Sequence, residues 1–162
     1  MRIIIMRHGQ AVNQAATDAI RPLTDKGRQD ARAVGKWLVQ QSHQAGIKPD
    51  VVLISPYLRA QQTAAEVLAE APQWPREEVD WITPDNNPSQ VLMQLAARPE
   101  SVIMLVSHQP LVSGLLALLI GEQAASAIAF TPATAVILDG EMIAFDSMRL
   151  VLACDPDKSL GF

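Results

Sequence analysis

Hydrophobic residues along this chain alternate between two patterns. Four segments are short, continuous and rich in β-branched residues: Arg2 to Met6 (RIIIM), Asp50 to Ser55 (DVVLIS), Ser101 to Ser107 (SVIMLVS) and Thr134 to Asp139 (TAVILD). A strand that is apolar on both faces is covered on both faces, as in a parallel sheet packed between helices. A fifth segment, Met148 to Ala153 (MRLVLA), reads as a strand near an edge, and Asp139 to Glu141 (DGE) as the turn before it. Between the strands the period becomes helical. From Asp25 to Ser42, residues Ala31, Val34, Gly35 and Leu38 recur at i, i+3, i+4 and i+7, with Thr24 placed as N-cap. From Pro56 to Ala71, residues Ala60, Ala64, Val67, Leu68 and Ala71 form a stripe, with Ser55 as cap and Pro56 as first helical residue. Pro110 to Gly121 is apolar nearly all round, which predicts a buried helix closed by a glycine. Pro88 to Arg98 carries a weaker helical pattern. The proline-rich stretch Pro72 to Pro88 reads as an irregular surface connection, and Asp155 to Phe162 as a loosely held tail.

Strand-helix alternation predicts an α/β fold, a three-layer αβα sandwich around a central, mostly parallel sheet, in one domain spanning residues 1–162. Composition agrees: 49% of residues are hydrophobic, enough to build a core and too many for a disordered chain. The net charge of −4 offers no electrostatic footprint for nucleic acid or for an anionic membrane surface, so neither is expected as a partner. The longest apolar run, Leu111 to Ile120, is ten residues, whereas a membrane-spanning helix needs about 20. Ile3 to Met6 is too short for a signal peptide. The single cysteine, Cys154, has no partner for an internal disulfide and reads as a small apolar residue near the last strand. A soluble cytoplasmic protein is the expectation.

Ligands of open α/β sheets bind beyond the carboxyl ends of the parallel strands. The first strand runs directly into Arg7, His8 and Gly9. The second leads to Arg59 in the first turn of its helix, and the third to His108. If these strands are parallel, two arginines and two of the three histidines meet at one end of the sheet. Each has a plain alternative. An Arg-His-Gly triplet occurs by chance, Arg59 alone reads as a solvated helix residue, and His108 alone as a helix cap. Co-location at three strand ends is what the separate alternatives leave unexplained. Such a cluster repels itself unless an anion sits in it, and a phosphate dianion suits arginine forks and helix N-termini. His43, on a polar helix face, takes no role. No HxH or HExxH spacing is present and the acidic residues are scattered, so no metal and no cofactor are expected.

Taken together, MRHG (Met6 to Gly9), RPLTDKG (Arg21 to Gly27), SPYLRAQQT (Ser55 to Thr63) and VSHQP (Val106 to Pro110) resemble the histidine phosphatase superfamily, also called the phosphoglycerate-mutase-like or RHG family. The short length and the RPLT segment are most similar to the SixA-type phosphohistidine phosphatases. The resemblance implies that His8 is the nucleophile and carries phosphate transiently. It implies that Arg7, Arg59 and His108 hold the phosphoryl oxygens and that Arg21 lies at the pocket mouth and helps bind substrate. An attacking imidazole must be unprotonated, and positive neighbours favour that form.

Larger relatives carry an acid that protonates the leaving oxygen. Here Glu78, Asp80 and Asp85 lie in the corresponding region, and all three equally read as solvated loop residues. A missing acid handicaps an alkyl phosphate more than a phosphohistidine, whose leaving ring has a pKa of about 6.5 and takes its proton from water. No insertion long enough for a lid is present; Pro72 to Pro88 is the only candidate cover. The expected activity is therefore release of phosphate from phosphohistidine in a protein, of phosphorelay or phosphotransfer type. A small-molecule phosphomonoesterase is the alternative, and a phosphoprotein-binding module without turnover a more distant one. Phosphate or sulfate is expected to occupy the pocket.

Overall fold

The computed structural model describes residues 1–158; the end of the tail, Ser159 to Phe162, lies outside the described residues. The strands are β1 (Arg2–Arg7), β2 (Val51–Ile54), β3 (Arg76–Glu78), β4 (Val102–Ser107), β5 (Ala135–Gly140) and β6 (Met148–Cys154). They form one sheet in the order β3-β2-β4-β1-β5-β6. The three junctions joining β3, β2, β4 and β1 are parallel, whereas β5 pairs antiparallel with β1 and β6 antiparallel with β5. The helices are α1 (Asp25–Ala45), α2 (Leu58–Glu70), α3 (Pro88–Ala96), α4 (Leu111–Ile120) and α5 (Glu122–Ala125).

The continuous apolar strands divide their side chains between two cores, as the period of two dictates. Ile3, Ile5, Leu53, Ile103 and Leu105 pack with Val91, Leu95 and the α4 leucines on one face. Ile4, Met6, Val52, Met104 and Val106 pack with Ala31, Val34, Leu38, Ala64 and Val67 of α1 and α2 on the other. This is the expected αβα sandwich. The antiparallel entry of β5 follows from the chain path. Helix α4 runs back to the far end of the sheet, where Leu118 meets the β5–β6 connection at Asp146. Residues 121–134 then return to the near end, where Thr134 bonds Arg7, so β5 starts beside the end of β1.

Several boundaries differ from the sequence reading. Thr24 does cap α1, its hydroxyl accepting from Gly27 N at 3.0 Å, but the helix runs to Ala45. Helix α2 starts at Leu58, not at Pro56, and Ser55 is not its cap. The Ser55 hydroxyl lies 2.7 Å from His108 Nε2 instead. Within the stretch read as irregular, Arg76–Glu78 pairs with β2. Its side chains are all exposed, so no apolar pattern announced it; buried Trp74 and Val79 hold its two ends. The DGE segment is not a tight turn. Asp139 and Gly140 complete β5, and Glu141 to Ser147 form the connection. Asp155 to Lys158 are not loose: buried Asp155 accepts from Thr131 Oγ1 at 3.0 Å, and Pro156–Lys158 form a 3-10 turn.

Candidate active site

Strand β1 carries Arg7 and His8 to the carboxyl end of the sheet, and the backbone there is pinned on both sides. His8 N donates to Ser107 O at 2.9 Å, and His8 O accepts from Ala133 N at 3.0 Å. Gly9 then passes the first turn of α1 so closely that a Cβ on it would stand 2.5 Å from Gly27 O. A Cβ on Gly27 would in turn collide with the carbonyl of Gln10. The glycine of the Arg-His-Gly triplet is thus required by a backbone-to-backbone contact with the glycine of RPLTDKG.

The hydrogen bonds of the His8 ring fix its tautomer. Nδ1 lies 2.7 Å from Gly9 O, which only accepts, so Nδ1 carries the proton. Nε2 receives a hydrogen bond from Arg59 Nε at 3.1 Å, which only donates, so Nε2 presents its lone pair. Thr63 holds this arrangement from behind. Its hydroxyl donates to Arg59 O at 2.7 Å and accepts from Gly9 N at 3.0 Å, joining the His8 turn to α2. Burial lowers the His8 pKa to about 4; the Gly9 carbonyl opposes this, and the charges of Arg59, Arg7 and Arg21 reinforce it.

That depression has a consequence for stability. Unfolded, His8 binds a proton as pH falls through its ordinary 6.5; folded, it does so only near 4. Stability is therefore lost as pH falls through this window, because the unfolded state binds more protons. From pH 7 to pH 5 the loss from His8 is roughly 2 kcal/mol. Urea unfolding of the parent protein and of His8→Asn at both pH values is expected to show the parent losing that much more; equal losses would refute the assignment.

Arg59 is 3% exposed and lies over the Tyr57 ring, 5.0 Å from its centroid. Its remaining donors reach the segment before Arg21: Nη1 donates to Asp18 O at 2.7 Å and Nη2 to Asp18 Oδ2 at 3.1 Å. Arg21 Nε donates to Asp18 Oδ1 at 2.8 Å, and its Nη1 to Val12 O at 3.0 Å. On the other side, Arg7 Nη1 donates to Phe130 O at 2.7 Å. Arg7 Nε is buried and has no hydrogen-bond partner among the described residues.

His108 is fully buried, its ring centroid 5.1 Å from that of His8. Burial, then the neighbouring charges of His8 and Arg59, lower its pKa to about 3. The Ser55 hydroxyl oxygen accepts from Tyr57 N at 3.4 Å and lies 2.7 Å from His108 Nε2. His108 Nδ1 is buried and has no hydrogen-bond partner among the described residues. Helix α4 begins three residues later, at Leu111, although Val112 N still bonds His108 O.

Arg7, His8, Arg59 and Arg21 line one cleft of about 250 Å³, with Gln10, Ala11, Asn13, Gln109 and Pro132 completing it. His108 does not line this cleft. Glu78, Asp80 and Asp85 are exposed and outside the lining; Glu78 accepts from Gln61 Nε2 at 3.1 Å. None of residues 72–88 lines the cleft, so the proline-rich stretch is not its cover. Its inner residues are tied down, as Ile82 shows, buried and accepting from Ser107 Oγ at 2.8 Å.

Three contributors escaped the sequence reading: Asp18, Ser55 and Thr63. Asp18 lies three residues before Arg21, and Thr63 one turn after Arg59. Spacing of that kind was the one signal available for them. Among the described residues no three His, Cys, Asp or Glu side chains gather as metal ligands, and no helix is long and apolar enough to cross a membrane. Cys154 is buried, and burial followed by the charge of Asp155 pushes its thiol up to about 11.

A neutral imidazole with a bare nitrogen, ringed by guanidinium groups at a strand end, suits phosphoryl chemistry, and known proteins support that reading. Residues 3–82 match the family described as the histidine phosphatase superfamily (branch 1). The phosphohistidine phosphatase SixA of Escherichia coli K12 is 36% identical over 122 residues, 72% of this chain and 73% of that protein. A SixA homolog from Haemophilus influenzae is 37% identical over 141 residues, 83% of this chain and 85% of that protein. A solved structure of the protein histidine phosphatase SixA complexed with tungstate superposes with a TM-score of 0.82 at 28% identity, covering 97% of this chain and 98% of that one. Site geometry, fold and sequence agree: the chain belongs to the histidine phosphatase superfamily.

Proposed function

We propose that this protein is a phosphohistidine phosphatase. Its substrate is phosphohistidine in a protein, such as a phosphorelay or phosphotransfer domain, and His8 carries the phosphoryl group in between. The observation that carries the reading is the bare Nε2 of His8 at the floor of an arginine-lined cleft. In the first step Nε2 bonds to phosphorus and the P–N bond of the substrate breaks. The departing imidazole leaves as a neutral ring with a proton taken from water. Arg59 releases Nε2 and turns its N–H to a phosphoryl oxygen, joined there by Arg7 and Arg21. His108, whose ring centroid lies 5.1 Å from that of His8, supports the nucleophile's ring beside the cleft. In the second step water attacks phosphorus, inorganic phosphate departs and His8 regains its lone pair.

The substrate class follows from proton supply. The carboxylate beside the cleft is Asp18; burial acts against its ionised form, but hydrogen bonds from Arg21 and Arg59 outweigh that and hold it below the usual carboxylate range. It stays ionised and is a poor proton donor. An alkoxide leaving group needs such a donor, and a leaving imidazole does not. The names of the two relatives and the tungstate carried by the solved SixA structure, an oxyanion shaped like phosphate, point the same way.

The test is a ranking of kcat/KM on a phosphohistidine protein, an aryl phosphate and a sugar phosphate. Phosphohistidine is expected first and the alkyl ester last, behind by ~10²–10⁴-fold, the usual worth of general acid assistance. The ranking is repeated with Glu78→Gln, Asp80→Asn and Asp85→Asn. If the alkyl ester is fastest and one of these changes removes only that activity, an acid operates, and the small-molecule phosphomonoesterase is the correct reading. Binding of the phosphoprotein with no phosphate release would instead establish a binding module.

A further inference from the structure

The contacts of Asp18 suggest more than support for Arg59. A guanidinium has a bidentate edge formed by Nε and Nη2, the one that best matches two oxygens of a phosphoryl group. In Arg59 that edge is occupied by His8 Nε2 and Asp18 Oδ2, side by side. The second carboxylate oxygen of Asp18 takes Nε of Arg21. One carboxylate thus satisfies both arginines, and it does so next to the nitrogen that would bond phosphorus. The Asp18 main-chain carbonyl binds Arg59 Nη1 independently at 2.7 Å. Arg59 therefore stays anchored when the carboxylate lets go. The Asp18 side chain is 57% exposed, in contrast to the 3% of Arg59, so one partner of the pair is buried and the other faces solvent.

We propose that Asp18 is an internal stand-in for phosphate: its carboxylate occupies a phosphoryl-oxygen position on Arg59 and Arg21 in the empty cleft and is displaced when phosphate enters. A phosphoryl group bound at Nε2 and the Asp18 carboxylate would both crowd the Nε/Nη2 edge of Arg59, and both are negative. Entry of a ligand requires Asp18 to turn toward solvent, which its side chain already faces. As the product phosphate leaves, Asp18 takes back both arginines. A substrate attached to a protein offsets this competition through its other contacts, whereas free inorganic phosphate has none. Asp18 therefore selects against retention of product. This rests on reading the cleft as the phosphoryl site, and it does not depend on phosphohistidine being the substrate.

The experiment measures inorganic phosphate binding by calorimetry and as an inhibition constant against an aryl phosphate, in the parent, Asp18→Asn and Asp18→Ala, with Arg59→Met as control. Removing the competing charge is expected to tighten phosphate about tenfold by both measures. The inhibition constant should fall with the dissociation constant, in Asn and Ala variants alike. Weaker or unchanged phosphate binding in both variants overturns the proposal, and weaker binding would make Asp18 a positioning residue for Arg59. Arg59→Met separates this from failure of the site itself. If that change leaves phosphate binding of the folded protein intact, the cleft is not the phosphate site and the functional reading falls as well.

Discussion

His8→Ala is expected to abolish phosphate release, by roughly 10⁴–10⁶-fold, the scale on which loss of a covalent nucleophile is felt. No neighbour is placed to substitute. His108 is fully buried and off the cleft lining, with Nε2 2.7 Å from the Ser55 hydroxyl, and the arginines are permanently protonated donors. The fold should survive, because the ring contributes to neither apolar core. Acid-labile, base-stable phosphate trapped during turnover should appear in the parent protein and be missing from the variant. A label on another residue, or substantial residual turnover in a folded variant, would dispose of the covalent mechanism.

Arg59 is the second position where a large loss is expected. Its Nε holds Nε2 of the resting nucleophile, and its planar edge is the one available to spread across two phosphoryl oxygens. Arg59→Met should lower kcat/KM by at least ~10²–10³-fold, the measured scale for one preorganised donor to a transition-state oxygen. Arg59→Lys should recover little of this. An ammonium is a point charge and cannot bond His8 and reach Asp18 in one plane. Substantial rescue by lysine would mean that charge alone suffices and that the edge geometry is incidental. Circular dichroism belongs beside the kinetics, since Arg59 is buried and its loss leaves Asp18 held by Arg21 alone.

How far the sequence revealed this site depended on how each residue is held. Arg7, His8, Arg59 and His108 were legible because the end of a continuous apolar strand is visible and the chain places polar residues immediately beyond it. Their convergence needed only parallel strands, and β1, β2 and β4 are parallel. Asp18 was not legible. It sits in a polar loop whose path is set by hydrogen bonds to the side chains it meets, and no periodicity encodes that. Ser55 illustrates a local rule overridden by tertiary structure: serine before proline is a good helix start, but this hydroxyl has a buried histidine within reach. Strand β3 was missed for a different reason. Arg76, Glu77 and Glu78 lie at the sheet edge with both faces wet, where pairing with β2 comes from the backbone and leaves no mark on side-chain choice.

The loop that bears Asp18 is closed at its neck. Ala11 bridges to Leu23, Val12 N bonds Pro22 O, and Thr24 N bonds Gln10 O. Everything between Asn13 and Ile20 hangs outside that closure, exposed or half-buried, with Ile20 51% exposed beside the cleft. Such a loop behaves as an exchangeable cassette, since changes of composition or length within it need not propagate through the neck into the sheet. Through Asp18 the same loop holds Arg59 and Arg21, so a rewritten loop that keeps the neck leaves the sheet intact yet changes what the two arginines of the cleft are bound to.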